Sequence, residues 1–309
     1  MAAISMVDAF RRDRLGIASF CVVGFFVVLA LAAPLITALY GKNPTEHYGQ
    51  NGAGPLSPEG LPNGGISAEH WFGIEPGLGR DVLAQLVYGV RTSLLIAGTS
   101  AAVVAVIGVV VGVAVGYLSG FVDRAFTFVC NVLLAFPALL FLITLGPVVQ
   151  TRFVGPGESE PAWMQFLVLV LVLVLVFSVF GRVPLAMVLR TAVRSLRERE
   201  FVEAARALGA SRRHIVFREL LPNVWAPVLV HLTLAVPAMV TTEAALSFLG
   251  VGVNDPVPDW GRMISRGADV FYDDPTHLVF PGASLLLFVL AFNLLGDAVR
   301  DALDPHTVH

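Results

Sequence analysis

Four polar side chains interrupt long apolar runs of this sequence and are the first places to look for chemistry: Asn131, His231, Glu243 and Asn293. Glu243 is the only acid well inside such a run. A charge at mid-bilayer costs on the order of 2.5–3.5 kcal/mol on insertion scales, so an acid there faces a cavity or a partner. Glu243 therefore has two readings: a group lining a path and meeting a cationic end of a cargo, or a structural hydrogen-bonding group near an outer helix end. His231, Asn131 and Asn293 divide the same way, between interhelical hydrogen bonds and contact with something that passes. No Gly-x-x-x-x-Gly-Lys-Ser/Thr phosphate loop occurs, so the chain is not expected to bind or hydrolyse ATP. No nucleophile, base and orienting group fall together, and the acids come without a His or Cys cluster at ligand spacing. No catalytic residue, cofactor, metal site or nucleic-acid partner is expected.

The elements that must hold these residues follow from composition. The chain has 309 residues, 56% of them hydrophobic and 14% charged, with a mean hydropathy of +0.77. An average soluble domain carries about 25% charged residues, so lipid rather than water is the expected solvent. Cys21 and Cys130 both lie in apolar runs and are read as small hydrophobes, not as a disulfide framework. A helix needs roughly 20 apolar residues to cross about 30 Å of hydrocarbon. Six stretches qualify, at 16–39, 94–118, 125–148, 164–181, 226–249 and 278–296. The first is too long for the apolar core of a cleaved leader. The fourth is rich in Val, but a lone strand in lipid leaves its backbone unpaired, so helix is expected there too. Pro137 and Pro237 are expected to kink their helices. Gly108, Gly112 and Gly116 recur on one helical face, which points to close helix packing.

Arginine placement orients these spans. With both termini cytoplasmic, 14 basic residues lie inside and 6 outside, nine of the inner ones in a single loop at 182–225. The expected class is therefore an all-α polytopic membrane protein, one domain over residues 1–309, with a long extracytoplasmic loop at 40–93. That loop has a Gly/Pro-rich first half, Gly49 to Gly65. It ends in a stretch where Val82, Leu83, Leu86 and Val87 recur at helical spacing, read as a short amphipathic helix on the outer interface. The last outer loop is acidic, with Asp255, Asp259, Asp269, Asp273 and Asp274.

The inner loop has the most to say. From Arg194 it reads as a helix through Leu208, with Phe201, Ala204, Ala205 and Leu208 on one face, and Gly209 placed to end it in a left-handed cap. Ser211 then caps a second short helix that Pro222 limits. On a wheel of 3.6 residues per turn Val216, Phe217, Leu220 and Leu221 form one stripe. Ile215 falls on the face of Arg212, His214 and Arg218, an exposed apolar residue among cations, suited to docking on a protein. Two plainer readings stand beside this: a basic loop that only obeys the positive-inside rule, and a basic face lying on anionic lipid.

Glu203-Ala204-Ala205, Gly209 and Leu221-Pro222 resemble the EAA motif of ABC importer permeases. The resemblance implies that Glu203, Ala204, Gly209 and the segment from Ser211 to Leu220, with Arg212, His214, Ile215 and Arg218, form the coupling contact with an ATPase subunit. Glu219 departs from the pattern, standing where many members have Ile. Trp71-Phe72-Gly73, Gly79-Arg80-Asp81, Tyr88-Gly89-Val90-Arg91-Thr92-Ser93-Leu94, Glu243 to Gly252, Pro258-Asp259-Trp260-Gly261 and Phe292 to Pro305 are similar to dipeptide and oligopeptide permeases of the DppC/OppC type. Membership implies a type I ABC importer permease fold of six helices and a heterodimer with a homologous permease. It also implies two ATP-binding subunits that use the ATP, an extracytoplasmic peptide-binding protein, and alternating access in the bacterial cytoplasmic membrane. Nickel, haem or glutathione importers share this subunit type. Outside it, the alternatives are a secondary transporter, which would often show internal repeats, and a non-transporting scaffold.

Overall fold

In a computed structural model, residues 13–48, 62–118, 120–135, 162–176, 182–253 and 255–303 are described, with scattered positions between 137 and 148. Parts of the second half of the span expected at 125–148, the end of that at 164–181 and most of the Gly/Pro-rich stretch lie outside them. Every regular element among the described residues is helical, and the only β pairing is two isolated bridges, His47 with Arg80 and Ile74 with Asp81.

Helix α1, Arg14–Tyr40, begins where the Asp13 carboxylate accepts the Leu15 N–H at 3.0 Å. It ends at Gly41, whose φ of 72° lets its N–H return to the Thr37 carbonyl. One face buries Val23, Phe26, Ala30 and Ala33, while Leu31, Leu35 and Leu39 stand exposed on the other. That is the pattern of a helix with lipid on one side and protein on the other. Helix α2, Val82–Leu118, has 37 residues. Its entry is fixed by Asp81, whose Oδ1 accepts the Ala84 N–H at 2.7 Å. The residues read as a separate interfacial helix are therefore the first turns of α2. Val82, Leu86, Val87 and Val90 are buried there rather than lying on a membrane surface. The amphipathic spacing was real; its apolar side meets protein instead of lipid.

Helix α3 is Phe121–Leu134, α4 is Ala162–Val176 and α5 is Arg182–Arg197. Part of the segment expected as an inner loop is thus a 16-residue helix lying along α2. Leu185, Ala186, Leu189 and Val193 are buried on it. The close approach rests on the three glycines: a methyl at Gly108 would come within 2.9 Å of Leu185 Cδ2, at Gly112 within 2.8 Å of the Ala186 carbonyl oxygen, and at Gly116 within 2.8 Å of the Arg190 carbonyl oxygen. Helices in lipid associate by such backbone proximity, because apolar side chains gain little from leaving hydrocarbon. Two polar ties flank the seam, one from α5 to α3 and one from α5 to the end of α2. Arg190 forks onto Asp123 of α3, with Nη2 2.7 Å from Oδ2 and Nε paired to Oδ1. Arg197 donates to the Tyr117 carbonyl at 2.8 Å, satisfying one open acceptor at the end of α2.

The helix expected to run unbroken from Arg194 to Leu208 is interrupted at Glu198 and Arg199, where Arg199 is extended (ψ 150°) and α6, Glu200–Ala207, starts anew. Helix α7 spans Arg212–Phe248 and changes pitch on the way: Arg212–His214 is α-helical, Ile215–Leu220 is π-helical, Leu221–Val224 is 3₁₀ and Trp225–Phe248 is α-helical with Pro237 inside it. Helices α8, Trp260–Asp269, and α9, Thr276–Leu303, complete the chain. Among the described residues four helices, α1, α2, α7 and α9, are long and apolar enough to cross a membrane. They converge on Trp260, whose ring meets Phe26 and Phe288 edge-on at 5.7 and 5.8 Å. Its indole N–H points to the Leu86 carbonyl at 3.3 Å.

Two tests follow from the α2–α5 seam. Gly112→Val forces a branched side chain into a 2.8 Å gap. It is expected to cost about 1–3 kcal/mol and to lower the thermal unfolding midpoint in detergent, whereas Gly98→Ala, with open space around it, should leave that midpoint unchanged. The Arg190 hydrogen bond and charge hold the Asp123 carboxyl below its ordinary value of 3.8. The tie therefore stabilises the fold at pH above about 4 and is lost as pH falls through the lowered value. Asp123→Asn should remove that part of the acid-induced loss of stability, measured as unfolding midpoint against pH. An unchanged profile would show that the tie is not felt.

Candidate functional site

The end of the molecule expected to face the cytoplasm, the inner end, is built by α5, α6 and the start of α7. Helix α6 closes with both bonds of a Schellman cap: Gly209 N–H to the Arg206 carbonyl and Ala210 N–H to the Ala205 carbonyl, each 3.0 Å. Gly209 has φ +80°, a left-handed conformation that costs a side chain-bearing residue roughly 1–2 kcal/mol. Two residues on, Ser211 Oγ accepts the His214 N–H at 3.3 Å and starts α7. The stop and start signals read from the sequence are both present, and between them they turn the chain sharply at the inner face.

Glu203, Ala204, Gly209, Ser211, Arg212, His214 and Arg218 are all exposed. Ile215 is not: it is 2% exposed, packed with Leu185, Leu189, Val193, Val202 and Leu220. The expectation of an exposed Ile215 is corrected here, and the reason is pitch. From Ile215 to Leu220 the helix is π, with the Leu221 N–H reaching back five residues to the Val216 carbonyl. A wheel drawn at 3.6 residues per turn rotates the segment too fast. At the true pitch Ile215 and Leu220, five apart, share the buried side, and Phe217 is turned out at 65% exposure. On α6 Val202 alone is buried, while Phe201, at 39%, and Leu208, at 89%, face outward. The apolar face read from the sequence thus stays uncovered by this chain. Beside it lies a polar hollow of about 580 Å³ lined by Tyr117, Arg197, Glu198, Glu203, Arg206 and Arg212 among others. Glu219, the departure from the motif, stands 3.7 Å from His214 Nε2.

The four polar residues of the apolar runs are not brought together. Asn131 on α3 and Asn293 on α9 are exposed on this chain's surface, and His231 on α7 is half-buried. Glu243, further along α7, is fully buried; its Oε1 is 3.3 Å from Ser247 Oγ. Its neighbourhood contains a second buried acid, one that the sequence reading counted only among the acids of the last outer loop. Asp259 is 0% exposed and caps α8 by accepting the Arg262 N–H at 3.0 Å. Burial pushes its carboxyl above the ordinary range. Gly261 sits so close to α7 that a methyl there would lie 2.1 Å from the Ala244 carbonyl oxygen.

A charged cluster at the opposite end was also missed. Glu75, 1% exposed, accepts from Arg80 at 2.7 and 3.1 Å, Arg266 at 2.7 Å and Gln85 at 3.0 Å. Asp255 meets Arg80 at 3.0 Å and Arg262 at 3.1 Å, and pairs with Arg266 as well. Asp81 takes His70 Nδ1 at 2.8 Å and the Tyr40 hydroxyl at 3.1 Å. Residues 69–85 and 255–266 are stapled together by these bonds, and no sequence spacing relates positions 175 and 191 apart. The signal that was available is the pair of strings Gly79-Arg80-Asp81 and Pro258-Asp259-Trp260-Gly261: the first carries Arg80, and the second lies between the Asp255 and Arg266 that join it.

Comparison with known proteins places the chain in a family. Residues 108–309 match the family described as the binding-protein-dependent transport system inner membrane component, and residues 5–55 the N-terminal TM domain of oligopeptide transport permease C. A dipeptide transport system permease protein, DppC, of Alkalihalophilus pseudofirmus is 33% identical over 96% of this chain and 87% of its own length. The glutathione transport system permease protein GsiD of Escherichia coli O6:K15:H31 is 33% identical over 96% of this chain and 88% of its own. Among solved structures, a chain of the MetNI methionine ABC transporter in an inward-facing conformation superposes with a TM-score of 0.51 at 22% identity, covering 72% of this chain and 98% of that one. The chain belongs to the family of inner membrane components of binding-protein-dependent transport systems, and it is a non-catalytic permease subunit of an ABC importer.

Proposed function

We propose that the cargo is a short peptide, and that this chain supplies half of its path through the bacterial cytoplasmic membrane. The observation that carries the reading is the inner face. A doubly bonded Gly209 cap, a Ser211-capped turn and a set of exposed cations stand beside an uncovered apolar face, on a chain that matches peptide permeases over nearly its whole length. In this reading the chain has six membrane helices with both termini inside. It pairs with a homologous permease, rests on two ATP-binding subunits that consume ATP, and receives cargo from an extracytoplasmic peptide-binding protein. Closure of the ATPases moves the segment from Ser211 to Leu220. The buried Ile215 and Leu220 pass that motion to α5, and the α2–α5 seam passes it to the membrane helices. Asn131, Asn293 and His231 are candidates for contact with cargo or the second permease. Glu243, buried and bonded to Ser247 on its own helix, serves as a structural group rather than a cargo contact. Glutathione, itself a tripeptide, is the second cargo supported, because the GsiD relatives are as similar as the dipeptide permease.

Uptake of a labelled dipeptide should be lost on deleting the gene in cells without a redundant peptide system and regained with the intact gene. Uptake of labelled glutathione alone would move the assignment to that cargo. Gly209→Val should leave ATP hydrolysis in the assembled complex but cut uptake at least about tenfold, the left-handed cap being closed to a branched residue; normal coupled uptake would count against the docking model. In a background lacking Cys21 and Cys130, a cysteine at Arg218 should cross-link to an ATPase subunit and one at the buried Ile215 should not. Labelling of Arg218→Cys by an impermeant reagent from outside the cell would overturn the topology.

A further inference from the structure

The segment that begins α7 has two hollows of opposite character. The polar one, beside Glu203 and Arg206, suits a water-soluble protein. On another side lies a groove of about 400 Å³ whose walls are almost wholly apolar. Val109, Val110, Val113, Ala114, Tyr117 and Leu118, on the last three turns of α2, form one wall. Val216, Phe217 and Leu221 of α7 form the other, with Arg212 and Arg213 at its border. Val110, Leu118 and Phe217 are more than half exposed, so the groove is open to its surroundings. Among the described residues neither Arg212 nor Arg213 is paired with a carboxylate.

We infer that this groove binds one anionic phospholipid, its acyl chain along the α2 wall and its phosphate on Arg212 and Arg213. The volume falls in the range of ligand pockets, roughly 300–1,000 Å³. An apolar trough that ends in two unpaired cations at the end of a membrane span matches a lipid's own order of tail and headgroup. Anionic headgroups are the ones that basic residues at the cytoplasmic surface attract, each worth about fivefold in affinity. A soluble partner would leave the trough's hydrocarbon wall without a match, whereas it fits the polar hollow. Bound there, the lipid props the start of α7 against α2, so that it braces the segment that faces the ATPase. The placement rests on the orientation proposed above, which the Arg218→Cys labelling tests separately.

The test is native mass spectrometry of the whole transporter complex, purified through a tag on this chain and mixed with equal amounts of phosphatidylglycerol and phosphatidylcholine. Wild type should retain one phosphatidylglycerol in clear preference. Arg213→Ala should weaken that retention about fivefold, and Ala114→Trp, which fills the trough from an exposed position, should abolish it while the subunits stay together. Equal retention of both lipids, or full retention in the Ala114→Trp complex, would overturn the assignment. So would loss of a subunit from that complex, which would give the groove to a protein instead.

Discussion

A methyl group on Gly112 would lie 2.8 Å from the Ala186 carbonyl oxygen and 2.9 Å from Leu189 Cβ, so α2 and α5 can only be this close with bare backbone between them. In hydrocarbon there is no hydrophobic gain to pull two apolar helices together, and packing of this kind supplies the association instead. The seam places Leu185, Leu189 and Val193 where Val202, Ile215 and Leu220 can close over them, joining the inner segments to α2 in one buried cluster. Everything at the inner face hangs from that contact. Without it, α6 and the start of α7 would have no core beneath them.

At the other end the constraint is charge. Glu75 and Arg80 are almost fully buried, and such a pair is tolerable only when its lone pairs and protons are used, because removing either partner leaves an unmatched charge worth about 3–5 kcal/mol. Here Arg266, Gln85 and Asp255 complete the set. The cluster holds the outer loops over Trp260, and Trp260 in turn holds α1, α2 and α9 together through Phe26, the Leu86 carbonyl and Phe288. One end is thus clamped by ion pairs, while the other presents exposed side chains on a short, capped turn. That asymmetry is what an importer subunit needs if its inner segment is to be moved by a neighbour while its outer scaffold stays intact.

The π-helical turns from Ile215 to Leu220 sit between these two regimes. They bury Ile215 and Leu220, turn Phe217 outward, and hand over through a 3₁₀ turn to the membrane part of α7. Irregular pitch of this kind concentrates at functional sites, and here it lies between the surface proposed to meet an ATPase and the long apolar part of α7.

Composition and spacing determined that the chain lives in lipid, that it is helical, and that its inner loop stops at Gly209 and restarts at Ser211. These are local matters, because an apolar run, a left-handed glycine and a capping serine act within a few residues of themselves. The glycine repeat on α2 was legible for the same reason, although its partner α5 was not. Only the tertiary structure decided that 82–89 continues α2 beneath α8, that Asp259 is buried, that Glu75 and Arg80 recruit Asp255 and Arg266 from the far end of the chain, and that Ile215 faces inward. Each depends on what packs against what across a hundred or more residues, or on a helical pitch that packing imposes, and the order of amino acids records such contacts only at the two ends that meet.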